Sequence, residues 1–287
     1  MSKYVIVTDS SADLPLNLIQ EYGIEVVQLS VTLEGEEPRP NNEVEVRSLY
    51  AALRNKRGAK TAAANSATFL ELFDAHLAAG QDVLYLGFSS GLSATYQASC
   101  IAATELREKY PDRKLITVDT LCASLGQGLI VYLAAKKAAE GAELEEVAAY
   151  VEELKPNLAH WFTVNDLFFL KRGGRVSAAT AVVGSMLQIK PIMNVDDAGH
   201  LVKVSTARGR RGSLDALCDR LVSNLLDRPD QTVFIGHGDC LEDAEYLANR
   251  IREKSAVKDI MIDYIGPVIG AHAGPGVVAL FFLGKER

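Results

Sequence analysis

Gly87-Phe88-Ser89-Ser90-Gly91 sets a serine in the G-x-S-x-G spacing of a nucleophile elbow, where a tight strand-to-helix turn exposes the hydroxyl for attack on an acyl carbon. The apolar run Val83-Leu84-Tyr85-Leu86 before it and a helical pattern after it supply the required context. With Asp259 or Asp263 and then His272 downstream, the order Ser, Asp, His is that of an α/β-hydrolase. Against this, such a fold builds several more strands before its elbow, and no His-Gly-Gly-type oxyanion segment lies upstream. A serine hydrolase using Ser89 and His272 is therefore the alternative, not the main reading.

The same turn belongs to a wider pattern. Tyr4-Val5-Ile6-Val7 runs into Thr8-Asp9-Ser10-Ser11, and Leu115-Ile116-Thr117-Val118 runs into Asp119-Thr120. Apolar strands alternating with helices imply a parallel sheet whose strand C-termini lie side by side, so these turns should converge on one rim. Helix N-termini there offer free N–H groups, and Ser and Thr add O–H donors without charge. Such a rim suits a small anion, a carboxylate or a phosphate, which makes a binder of a phosphorylated small molecule a second alternative. Asp9-Ser10-Ser11-Ala12-Asp13 suggests a metal-bound phosphotransfer aspartate, but Asp13 before Leu14-Pro15 fits a helix N-cap, the favoured reading. Gly126-Gln127-Gly128 lacks the third glycine of a dinucleotide fingerprint and falls inside an Ala/Leu helical pattern, so it marks close helix–sheet packing.

Two basic segments and one histidine complete the candidates. Lys171-Arg172-Gly173-Gly174-Arg175-Val176-Ser177 gathers three cations around a Gly-Gly turn before a helix that opens near Ser177, and Arg208-Gly209-Arg210-Arg211 is a second cluster. Each suits a phosphate or an acidic partner, with solvated surface charge as the plainer explanation. In Gly266-Pro267-Val268-Ile269-Gly270-Ala271-His272-Ala273-Gly274-Pro275-Gly276, glycines and prolines are expected to force a defined turn around one imidazole. Cys100, Cys122, Cys218 and Cys240 form no Cys-x-x-Cys pair and read as buried, reduced thiols. The histidines show no His-x-x-x-His spacing, so neither a metal nor a cofactor is expected.

The elements that must position these residues follow from periodicity. Strand-like runs near 4–8, 24–33, 83–88 and 114–118 alternate with helical patterns near 15–22, 44–56, 66–79, 94–109 and 123–140, and a helix spans 143–156 with Glu143, Glu145 and Glu146 in its first turn. Strand-like runs near 159–164, 190–195, 201–205, 232–236, 259–265 and 277–283 then alternate with helical stretches near 176–188, 212–226 and 241–254. Asp196-Asp197-Ala198-Gly199 signals a hairpin and hence an antiparallel pair. The expected organisation is a parallel α/β domain over 1–156 and an α/β domain with a mixed sheet over 157–287. With 48% hydrophobic and 23% charged residues among 287, the chain can bury an ordinary core. A formal net charge of −7 disfavours nucleic acid and anionic membrane as generic partners. No apolar run reaches the roughly 20 residues of a membrane span, and Met1-Ser2-Lys3 leads straight into a strand, so the expected location is the cytoplasm.

Six segments, in order, resemble the DegV family over nearly the whole chain. They are Thr8-Asp9-Ser10-Ser11-Ala12-Asp13-Leu14-Pro15, Ser89-Ser90-Gly91-Leu92-Ser93-Ala94-Thr95-Tyr96, Val118-Asp119-Thr120, Leu170-Lys171-Arg172-Gly173-Gly174-Arg175-Val176, Leu187-Gln188-Ile189-Lys190-Pro191-Ile192 and Ala271-His272-Ala273-Gly274-Pro275-Gly276. The resemblance implies a bacterial, two-domain α/β protein that holds one long-chain fatty acid and has no catalysis of its own. It further implies a buried tail, a carboxylate at the strand rim, and a separate fatty-acid kinase subunit that makes acyl phosphate for phospholipid synthesis. By the same resemblance, Thr61, Ser93 and His272 bind the carboxylate, and Arg175 and Arg208 contact the kinase or the acyl phosphate. The chain departs from the family at Ala62-Ala63-Ala64-Asn65, where Ser-Gln-Pro-Ser is usual, and at Ala94, where glycine is usual. Each lost side-chain donor removes about 1 kcal/mol of net hydrogen bonding, and Asn65 is the residue able to restore one.

Overall fold

The structure is a computed structural model that describes residues 3–165, 167–177, 188–228, 231–257 and 259–287. Its first sheet is parallel, with β1 (Tyr4–Asp9), β2 (Glu25–Val27), β6 (Asp82–Gly87) and β7 (Leu115–Asp119) in the order β2-β1-β6-β7. The second is mixed: β8 (Leu158–Thr163), β9 (Ile189–Val195), β10 (Leu201–Arg208), β11 (Thr232–His237), β12 (Asp259–Tyr264) and β13 (Val278–Leu283) run β10-β9-β8-β13-β11-β12. The run expected near 24–33 is not one strand. It divides between β2 and β3 (Ser30–Leu33), which pairs antiparallel with β4 (Arg39–Pro40) and β5 (Ala59–Ala62) in a small third sheet. The division falls where Leu29 N–H donates to Ser10 Oγ at 3.0 Å, carrying the chain off the first sheet.

Side-chain alternation builds the layers. Along β1 and β6, Tyr4, Ile6, Leu84 and Leu86 face one core, and Val5, Val7, Val83 and Tyr85 face another. The outer core is covered by α2 (Val46–Arg54), α3 (Ser66–Ala78) and α4 (Thr95–Lys109). The inner core contains α5 (Leu125–Ala139) and α6 (Leu144–Leu154) together with Phe162, Phe234 and Phe281 of the second sheet. The opposite face of that sheet carries α8 (Gly209–Asn224) and α9 (Leu241–Lys254), after the short α7 (Phe168–Arg172). Helix α5 is buried all round over its first two turns, Leu125–Val131, where its sequence is mostly apolar, and emerges toward solvent at Lys136 and Lys137. It packs on β6 of the first sheet and on β8, β11 and β13 of the second. The expected close packing on the sheet is observed at Gly126, where a Cβ would lie 2.7 Å from Phe281 Cδ1 of β13, while Gly128 packs instead on the turn after β1, where a Cβ would lie 2.6 Å from the Ala12 carbonyl oxygen.

Several local expectations change. Asp13 is not the N-cap of α1 (Leu16–Tyr22); Pro15 occupies that position. Asp13 instead ends a 3-10 turn with φ 53°, and its carboxylate accepts from Ser124 Oγ at 2.6 Å, a tertiary contact that overrides the local cap. His272 sits not in a turn but on a helix, α10 (Pro267–Ala273), because Pro267 fits the first helical turn and the positive-φ glycines, Gly274 and Gly276, come after the end. The Asp196–Gly199 hairpin forms as read and joins β9 to β10. In α6, Glu143 and Glu146 make a reciprocal capping box. The helix expected near 176–188, opening near Ser177, lies almost entirely outside the described residues.

The first-strand carboxylate ties this frame together. Fully buried, Asp9 accepts from the Ser11 N–H (3.1 Å) and hydroxyl, from Tyr85 OH (2.7 Å), from Phe88 N–H (2.9 Å) and from Gln127 Nε2 (3.2 Å). Both its oxygens are engaged by protein donors, so Asp9 holds β1, β6 and α5 in register and is not an open phosphotransfer residue. Asp9→Ala strands these donors in the core and should lower stability by at least about 3 kcal/mol in urea unfolding. An unchanged midpoint would contradict this role.

Candidate ligand-binding site

Between the second sheet and the segments that follow the strands of the first lies a cavity of about 1080 Å³ of atom-free space, counted to its open end. Its two ends differ. At the mouth Ala94 is exposed, and Thr61, Ser93, Arg175 and His272 are half-buried. At the floor His160, Val277, Ala279 and Phe281 are buried, and Phe88, Leu92, Phe162 and Val268 line the walls between. The lining is apolar except at the mouth and at His160 and Ser124.

Four of the five residues singled out from the sequence meet at that mouth. Thr61 comes from β5 and His272 from α10; Thr61 Oγ1 and His272 Nε2 share a hydrogen bond of 2.7 Å. Burial, reinforced by the positive charges of Arg175 and Arg172, pushes the His272 pKa down to about 4, so the imidazole is neutral at pH 7. Ser93 lies in the loop between β6 and α4, where its Oγ shares a hydrogen bond with Thr95 Oγ1 (2.9 Å) and accepts from Thr95 N–H (3.2 Å). Arg175 donates through Nε and Nη2 to the Leu92 carbonyl (3.2 and 3.1 Å) and through Nη1 to that of Gly173, so its guanidinium bridges the mouth. Arg208 is elsewhere: it is exposed at the end of β10, on the N-cap of α8, and does not line the cavity. Of the altered segment, Ala63 lines the cavity, while Asn65 Oδ1 caps α3 by accepting from Thr68 N–H at 3.0 Å.

The hydrolase constellation is not assembled. Ser89 is fully buried and donates to the Gly199 carbonyl at 2.9 Å, across to the β9–β10 turn. His272 pairs with Thr61 instead, and Asp259 stands exposed at the start of β12. Sequence reasoning missed Phe88, Phe162, Phe281 and His160, because residues that line a cavity alternate along strands as core residues do. Half-exposed Cys100 and Cys240 also depart from the expected burial; Cys122 and Cys218 keep to it. Burial holds the Cys240 thiol up at about 11, far from a nucleophilic thiolate.

The model of the DegV family matches residues 3–285. A DegV domain-containing protein of Clostridium perfringens is 47% identical over 289 residues, covering 100% of this chain and 99% of the relative. The chain belongs to the DegV family. Among solved DegV structures, a fatty-acid-binding protein from Thermus thermophilus superposes with a TM-score of 0.88 at 27% identity, covering 98% of this chain and 99% of its own. A DegV lipid-binding protein from Thermotoga maritima gives 0.85 at 28%, covering 99% of each chain. Among the described residues, no helix is long and apolar enough to cross a membrane.

The depressed His272 pKa has a consequence for stability. The unfolded chain takes up this proton near pH 6.5, the folded one only near 4. The histidine's contribution is therefore complete above about pH 6.5 and is lost as pH falls toward 4. His272→Gln should flatten the fall in unfolding free energy between pH 6 and 4.5 by up to about 1.4 kcal/mol per pH unit, measured by urea titration. Parallel curves for the two proteins would exclude the effect.

Proposed function

We propose that this chain is a non-catalytic carrier of one long-chain fatty acid. The carrying observation is the two-ended cavity, with an aromatic and aliphatic interior and a mouth bearing the Thr61 and Ser93 hydroxyls and a neutral His272. Such a mouth gives a carboxylate hydrogen bonds without a tight ion pair and leaves it accessible for transfer. The tail supplies the affinity: at about 0.8 kcal/mol per methylene, a sixteen-carbon chain gains roughly 11 kcal/mol before the cost of association. Each mouth hydrogen bond adds only about 1 kcal/mol. The DegV relatives described as fatty-acid- or lipid-binding support the same ligand class.

In this reading the carboxylate is presented to a separate fatty-acid kinase subunit in the cytoplasm, which forms acyl phosphate for phospholipid synthesis. Arg175 at the mouth and exposed Arg208 are the cations offered to that partner or to the acyl phosphate. Residues 1–156 and 157–287 act as two domains enclosing the tail.

Thr61→Ala and Ser93→Ala should each weaken binding of a sixteen-carbon fatty acid about fivefold in a displacement titration, with unchanged circular dichroism. Wild-type affinity in both variants would overturn the head-group assignment. Labelling by a fluorophosphonate probe that Ser89→Ala abolishes would replace the carrier by a hydrolase; the carrier reading expects no label.

A further inference from the structure

Helix α5 passes the cavity floor at Gly126, a residue the head-group chemistry does not use. A Cβ there would overlap His160 Nε2 and fall 2.7 Å from Phe281 Cδ1, and both of these rings line the floor. The rings lie edge to face with centroids 5.3 Å apart, on paired positions of β8 and β13. The missing side chain at 126 is the space into which they withdraw from the cavity. We infer that Gly126 sets the depth of the cavity and thereby the acyl length this chain accepts, an inference that rests on the fatty-acid reading.

The helix has no freedom to absorb a larger residue. Two positions further on, about 200° round the helix, Gly128 meets the Ala12 carbonyl, where a Cβ would stand 2.6 Å away. Backbone thus closes one side of α5, and two side chains with open cavity behind them close the other. A methyl group at 126 is accommodated by moving His160 and Phe281 into the cavity, since the retreat of α5 toward Ala12 is blocked. His160 Nδ1 is tied to the Leu158 carbonyl at 3.0 Å, which leaves Phe281 the freer ring. The floor therefore rises by one or two methylenes, and each methylene excluded from the cavity costs about fourfold in affinity.

The test is native mass spectrometry of delipidated protein offered equimolar saturated acids of fourteen, sixteen and eighteen carbons. Gly126→Ala should move the preferred length one to two carbons shorter than in the wild type, leaving the fourteen-carbon acid nearly unaffected. Phe281→Leu, which deepens the floor without touching α5, should move it the other way and should restore the wild-type preference when combined with Gly126→Ala. If Gly126→Ala does not fold alone, the double variant is compared with Phe281→Leu: a shorter preferred length in the double variant supports the role of Gly126, and the same length overturns it. Identical length profiles in wild type and the folded variants would overturn the role of Gly126 while leaving the carrier reading intact. A wild type that takes none of the three acids would overturn both.

Discussion

A single buried carboxylate fixes the frame on which the cavity depends. Asp9, at the C-terminal end of β1, gathers donors from its own turn, from β6, from the loop that follows β6 and from α5. A carboxyl group without water is tolerable only with such a full complement of hydrogen bonds. The bond from Phe88 N–H fixes the start of the loop that carries Phe88, Leu92, Ser93 and Ala94 into the cavity wall. The bond from Gln127 fixes α5 between Gly126 and Gly128, the two positions where that helix touches opposite sides of the molecule. One buried side chain thus sets both a wall and the floor.

The rest of the site follows from what the C-terminal half adds. Its six-stranded sheet presents Phe162, Ala279 and Phe281 to the cavity, and two elements reach back over the same β6–α4 loop. Arg175 holds the Leu92 carbonyl, and the β9–β10 turn accepts the Ser89 hydroxyl. Val195 and Leu201, which flank that turn, line the cavity. The serine that looks like a nucleophile is a clasp between the halves, and its burial follows from that role.

Much of this was legible in the sequence because long apolar runs and turn residues leave local traces. β1, β6 and β7, the helices between them and the Asp196–Gly199 hairpin all follow from periodicity and turn chemistry. The failures share a cause: tertiary contacts decided them. β5, which carries Thr61, reads Ala-Lys-Thr-Ala and has no hydrophobic period of its own. The run after Ile24 changes sheet at a contact with Ser10, 19 residues earlier. Asp13 leaves its expected cap for Ser124, and α10 was hidden by glycines that serve packing against Tyr50 and a turn past its end. Thr61 and Ser93 were assigned through the family resemblance, since hydroxyls far apart in sequence carry no local signal, whereas Arg175 and His272 also stood out locally, in a basic Gly-Gly turn and a segment framed by glycines and prolines. The floor residues were out of reach, because a cavity wall and a packed core use the same side chains.

The most direct test is native mass spectrometry of the protein as purified, followed by denaturing extraction of whatever it carries. The carrier account predicts one bound molecule per chain with the mass of a long-chain fatty acid. Protein that emerges empty and takes up no fatty acid when offered one, or that carries a phosphorylated metabolite, would contradict it.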